Sequence, residues 1–135
     1  MTFPRSIVVA RWVLAAVYLS AGIVHLHDPP FFMRIVPDWV PYPRETVLLT
    51  GICEIFGAIG LLIPRTRRLA GIMLALYALC VWPANIKHAI DDLSAGTGLG
   101  WGYHGPRFLA QPLIIWWALI AGEVTRWPFH ARARR

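Results

Sequence analysis

The chain has 135 residues, of which 57% are hydrophobic and only 15% charged, and its mean hydropathy is +0.53. So little charge cannot cover the surface of a soluble domain of this length, and the length allows one domain, 1–135. The net charge of +6 comes from arginines that flank apolar segments. That placement suits lipid headgroups and topology, and it excludes a nucleic-acid surface, because no basic and aromatic patch stands apart from the segments.

Four apolar segments follow one another, at about 6–26, 46–63, 69–86 and 108–127. At 1.5 Å of rise per residue, an 18-residue helix spans about 27 Å, close to the hydrocarbon thickness of a bilayer. The expected fold is therefore all-α, an integral membrane four-helix bundle. The first segment is too long for a signal-peptide core and carries Arg11, so it reads as an uncleaved span. The loop after it, His27 to Glu45, holds five prolines together with Phe31, Phe32, Trp39 and Tyr42. Proline at that density stops a helix, and the aromatic residues suit the headgroup region, so this loop is expected to lie across the outer mouth.

The second segment, TVLLTGICEIFGAIGLLI, carries Glu54 at its middle. A carboxylate at that depth costs on the order of 3 kcal/mol unless a proton or a partner neutralises it. A short turn with Arg65, Arg67 and Arg68 leads into the third segment, which makes segments two and three an antiparallel hairpin. Pro83 kinks the third segment near its outer end and turns Asn85 and His88 toward the mouth. From Lys87 to Arg107 the chain reads as a flexible outer loop. Its run GTGLGWGYHGP follows no strand and ends in no GK[ST], so it is no phosphate cradle.

Nine of the thirteen basic residues fall on one side: Arg5, Arg11, Arg65, Arg67, Arg68, Arg126, Arg132, Arg134 and Arg135. With an even number of spans, the positive-inside rule puts both termini in the cytoplasm, and the expected location is the plasma (inner) membrane, multi-pass.

Helix one offers a polar-to-small stripe, Arg11, Ala15, Tyr18, Gly22 and His25, that should face inward. Arg11 and Glu123 lie at matching depth near the cytoplasmic ends of segments one and four. Either they form a structural ion pair, or both snorkel to the surface. In the outer half, His25, Thr50, Glu54, Asn85, His88 and Gln111 come from all four segments. They either line an outward-facing polar cavity with Glu54 at its floor or form a polar knot that only holds the helices together. The outer histidines and aspartates carry no metal-binding spacing, so no metal is expected. Cys53 and Cys80 lie at similar depths, and buried thiols there are more often packing than a redox pair.

Read in order, the motifs AGIVHL, PFFMRIVPDWVP, TGICEIFGAIGLLIPRTRRLAG, VWPANIKHA and RFLAQPLIIWW resemble the DoxX family of small four-helix membrane proteins. The resemblance covers nearly the whole chain. It implies a four-span bundle that is often redox-associated, working with soluble or membrane oxidoreductase partners and in some relatives with quinones. It also implies recurring polar or small positions at His25, Gly51, Glu54, Asn85, Arg107 and Gln111. The last motif departs from the family, because Gln111 follows Arg107 through Phe108-Leu109-Ala110. No flavin or haem signature is present, so an electron carrier would be borrowed.

Three functions are then open. One is a redox-associated subunit holding a quinone-like or other small lipophilic molecule, with Glu54 or His25 exchanging protons. The second is a non-enzymatic scaffold or assembly factor, and the third a carrier for a small lipophile. The lipid bilayer is the expected partner. Small bundles of this kind often form homodimers, and no glycine zipper decides the matter here.

Overall fold

The computed structural model describes residues 5–127, which are all-helical apart from turns. The arginines at 132, 134 and 135, counted above toward topology, lie outside the described residues. In chain order the helices are α1 (Arg5–His27), α2 (Pro29–Met33), α3 (Pro43–Leu62), α4 (Arg67–Ala95) and α5 (Trp101–Ala121). Helix α1 packs on α3 and α5, and α4 packs on α3 and α5, so the four long helices meet in a closed ring of neighbours. Three of them, α1, α3 and α4, are long and apolar enough to cross a membrane. Helix α5 is not in that group, since His104, Arg107 and Gln111 interrupt its apolar sequence.

Apolar side chains face outward on every long helix. Trp12 is 60% exposed, Phe56 69%, Leu69 63% and Leu109 72%. Such a continuous apolar exterior is what a bilayer covers. The interior is built largely from small residues, with Ala15, Ala58, Ala70, Ala75, Ala118 and Ala121 packed around Leu14, Leu61 and Leu74. Small side chains let helix backbones approach without a hydrophobic driving force. Gly71 and Gly122 mark one such contact, where a Cβ on Gly71 would lie 2.6 Å from the Gly122 Cα.

The helix limits depart from the expected segments in α4 and α5. Helix α4 continues nine residues past Ile86, so the expected flexible loop from Lys87 to Arg107 is a helix–turn–helix with only residues 96–100 between helices. Apolarity ends at Ile86, but helicity does not. Lys87 pairs with Asp91 at 2.6 Å one turn on, and the helix stops at Gly96, whose φ of 64° lets its N–H reach the Asp92 carbonyl. Helix α5 starts at Trp101 rather than 108 and ends at Ala121 rather than 127. Gly122 and Glu123, the latter with φ of 60°, turn the chain there. The proline-rich loop holds the one-turn helix α2, because Pro29 and Pro30 occupy first-turn positions where a missing N–H costs nothing.

Candidate functional site: a carboxylic acid on a half-open cavity

The close approach of α1 and α3 places the first two site residues. A Cβ on Gly22 would lie 2.6 Å from the Gly51 carbonyl oxygen, and one on Gly51 would lie 2.8 Å from the His25 Cβ. Only glycine fits both positions, and the resulting contact brings His25 of α1 beside Glu54 of α3.

Glu54 is 4% exposed. Its Oε1 accepts a hydrogen bond of 2.9 Å from the Tyr77 hydroxyl of α4. On the other side, His25 Nδ1 lies 3.0 Å from Oε2 and 2.8 Å from the Ala21 carbonyl. Both neighbours are acceptors, so Nδ1 carries the hydrogen. That hydrogen is directed at the Ala21 carbonyl, which leaves Oε2 buried, in polar contact with the ring, but without a hydrogen bond of its own. Phe32 of α2 stacks on the His25 ring at 3.7 Å, and Tyr18 meets Tyr77 edge-on.

The acid forms part of the wall of a cavity of about 550 Å³, the size of a site for a drug-sized molecule. His25, Thr50, Asn85, Arg107 and Gln111 line the same cavity, with Tyr18, Tyr77 and Trp117 among a mostly apolar set. Ile35, Val36, Pro37, Trp39 and Val40 of the proline-rich segment line one side of it. Thr50 lines the wall, but its hydroxyl donates back to the Val47 carbonyl at 2.8 Å.

The polar groups of α4 and α5 form a separate chain across the opposite wall. Arg107 donates from Nη2 to Asn85 Oδ1 at 2.6 Å and from Nη1 to His88 Nδ1 at 2.9 Å. Asn85 Nδ2 donates to Gln111 Oε1 at 3.2 Å, and Gln111 Nε2 donates to the Ala78 carbonyl. That carbonyl lies within the turn that Pro83 disturbs. His88 does not line the cavity. It stands behind Arg107, and its Nε2 lies 3.3 Å from Asp92, which also meets His104 Nε2 at 3.2 Å.

At the other end of the molecule Arg11, 5% exposed, donates from Nε to the Ala121 carbonyl at 2.7 Å and from Nη2 to Glu123 Oε1 at 2.6 Å. Arg11 and Glu123 thus form an ion pair rather than snorkelling apart. Glu123 sits on the turn after α5 and not within it. Arg67 joins the pair, reaching the same Oε1 at 2.8 Å and the Leu61 carbonyl at 3.1 Å.

Six of the seven candidate ligand residues therefore meet on one cavity, and His88 buttresses Arg107 from outside it. Tyr77 was not read from the sequence. Its signal was available in its spacing from Leu74 and Asn85, which puts it on the inward face of α4, and in the need of any buried phenol for a partner. Cys53 and Cys80 are free thiols on the exposed surface. Among the described residues no group of three or more His, Cys, Asp or Glu side chains is arranged to hold a metal.

Fold and site together define a helical protein with three helices long and apolar enough to cross a membrane and a buried carboxylic acid on a half-open, mostly apolar cavity. Residues 14–121 match the family described as Domain of unknown function (DUF8561), and the chain belongs to that family. No curated protein and no solved structure matches it.

Proposed function

We propose that the chain is a DoxX-like, four-span membrane bundle of the plasma (inner) membrane with both termini cytoplasmic. In this reading it is a redox-associated subunit that binds a quinone-like or other small lipophilic molecule beside Glu54. The observation that carries the reading is a glutamate only 4% exposed that lines a cavity of about 550 Å³ and has one carboxyl oxygen buried without a hydrogen bond. A residue that only locked helices together would be satisfied on both oxygens and would not border open space. The apolar walls suit a lipophile from the bilayer, and the aromatic rings of Tyr18, Phe32, Tyr77 and Trp117 suit a flat one. With no cofactor motif of its own, the chain would work with a soluble or membrane oxidoreductase partner.

One observation favours the scaffold reading. The chain of bonds from His88 through Arg107, Asn85 and Gln111 to Ala78 would serve a protein that only needs α4 held to α5.

The test is native mass spectrometry of gently extracted protein followed by organic extraction, comparing wild type with Ala84→Trp, which fills the cavity from α4. Binding predicts a lipophile that leaves with the wild type and is absent from Ala84→Trp. The same extract from both folded forms would refute the binding reading and leave the scaffold.

A further inference from the structure

A second groove runs along the α3–α4 hairpin and does not involve Glu54. Its volume is about 590 Å³, and it is lined by Phe56, Ile59, Leu69 and Met73, apolar side chains that are all exposed. Among the described residues no charged side chain lines it. At one end it reaches Ile63 and Thr66, in the turn between the two helices, and at the other Cys53 of α3 and Cys80 of α4. From Leu69 to Cys80 helix α4 rises about 16 Å, and one leaflet of a bilayer holds about 15 Å of hydrocarbon. The groove therefore has the length of one acyl chain. The arginines at its turn end are sorted by direction. Arg67 turns inward, donating to Glu123 Oε1 at 2.8 Å and to the Leu61 carbonyl at 3.1 Å. Arg65 and Arg68 are exposed, and among the described residues their side chains have no ion pair or hydrogen bond. Two unpaired guanidinium groups thus adjoin Thr66 and Leu69, which line the end of an uncharged groove.

We infer that this groove is a binding site for one anionic phospholipid, with an acyl chain laid along α3 and α4 and the phosphate held by Arg65 and Arg68. Guanidinium groups bind phosphate through paired N–H donors, and each basic side chain near a membrane surface adds attraction for a negative headgroup. A zwitterionic headgroup brings its own cation to the same two arginines and cancels part of that attraction. The apolar walls alone would also fit a second copy of the chain, but the charge does not. A two-fold contact about the membrane normal would bring Arg65 and Arg68 of both copies to the same end of the groove, between chains that each carry a net charge of +6. A lipid with a negative headgroup satisfies the apolar groove and the two free cations together.

The test titrates the full chain in detergent micelles with phosphatidylglycerol and with phosphatidylcholine of identical acyl chains, and counts lipid adducts by native mass spectrometry. The expected result is one lipid held, with phosphatidylglycerol bound about tenfold tighter than phosphatidylcholine. Replacing both arginines, Arg65→Gln with Arg68→Gln, should bring the two lipids to near parity. Met73→Trp, which fills the groove from α4, should weaken both. Two controls separate the site from bulk charge and bulk apolar surface. Arg34→Gln removes an equal charge after α2, and Leu113→Trp adds equal bulk to the exposed face of α5. Both should keep the wild-type preference. Equal affinities in wild type, or a preference that the double arginine variant leaves intact, would overturn the inference. So would a preference lost equally in Arg34→Gln, which would assign it to net charge, or adducts that Met73→Trp leaves unchanged. A lipid-free dimer that Met73→Trp dissociates would give the groove to a second copy and overturn it as well.

Discussion

Removing Glu123 gives the clearest stability test, because the group left behind is a buried guanidinium. In Glu123→Ala, Arg11 and Arg67 lose their shared carboxylate and face each other near the N-terminal ends of α1 and α4. Breaking a fully buried pair by deleting one partner costs about 3–5 kcal/mol, and a fully exposed pair is worth about 0–1. Here the Arg11 side chain is 6% exposed and that of Glu123 26%, so the case lies between. Arg11 also keeps its bond to the Ala121 carbonyl, which holds the loss down. The expected loss is about 2 kcal/mol, inside that range. Reversible unfolding of the purified protein in mixed micelles, followed by circular dichroism, measures it. Arg11→Met in the Glu123→Ala background removes the stranded charge and should recover at least half of the loss, and exchanging the two charges should recover part of it. A Glu123→Ala protein as stable as wild type would refute the ion-pair account of this end of the bundle.

Gly22→Ala should push α1 from α3, since its Cβ would meet the Gly51 carbonyl at 2.6 Å. The overpacking should cost about 1–3 kcal/mol in the same unfolding assay and release any co-extracted lipophile, because His25 moves from Glu54. Gln111→Leu leaves the Ala78 carbonyl and Asn85 Nδ2 without their partner. It should lose about 1–3 kcal/mol, and an unchanged midpoint would remove the α4–α5 chain from the account. Trp117→Phe deletes the bond from its indole N–H to the Ala10 carbonyl, 3.0 Å long. Its loss should be smaller, about 1 kcal/mol, by the same measurement.

What could be read from the sequence divides along physical lines. Glu54, His25, Asn85 and Gln111 were legible because a polar group inside an apolar run carries a cost that only a partner or a cavity offsets. Arg11 and Glu123 were legible for the same reason. Tyr77 was not, since tyrosine in a membrane protein is at home at the interface and needs no partner there. Arg67 was assigned to topology, and nothing in the run PRTRRL separates the arginine that turns inward to Glu123 from the two beside it. The ends of α4 and α5 were misplaced because hydropathy reports where apolar surroundings stop, whereas capping and i, i+4 pairs decide where a helix stops. His88 lay on the expected face, but Arg107 stands between it and the cavity, a matter of side-chain reach that spacing does not encode.

The central claim is that Glu54 faces a filled cavity. A crystal structure of the protein grown from a lipidic mesophase, without detergent exchange, tests it most directly. The account predicts continuous density of an extended molecule in the cavity lined by Glu54 and Arg107, with Tyr77 still bonded to Glu54. A cavity collapsed onto its own side chains, or Glu54 sealed by apolar residues with both oxygens bonded within the protein, would contradict it.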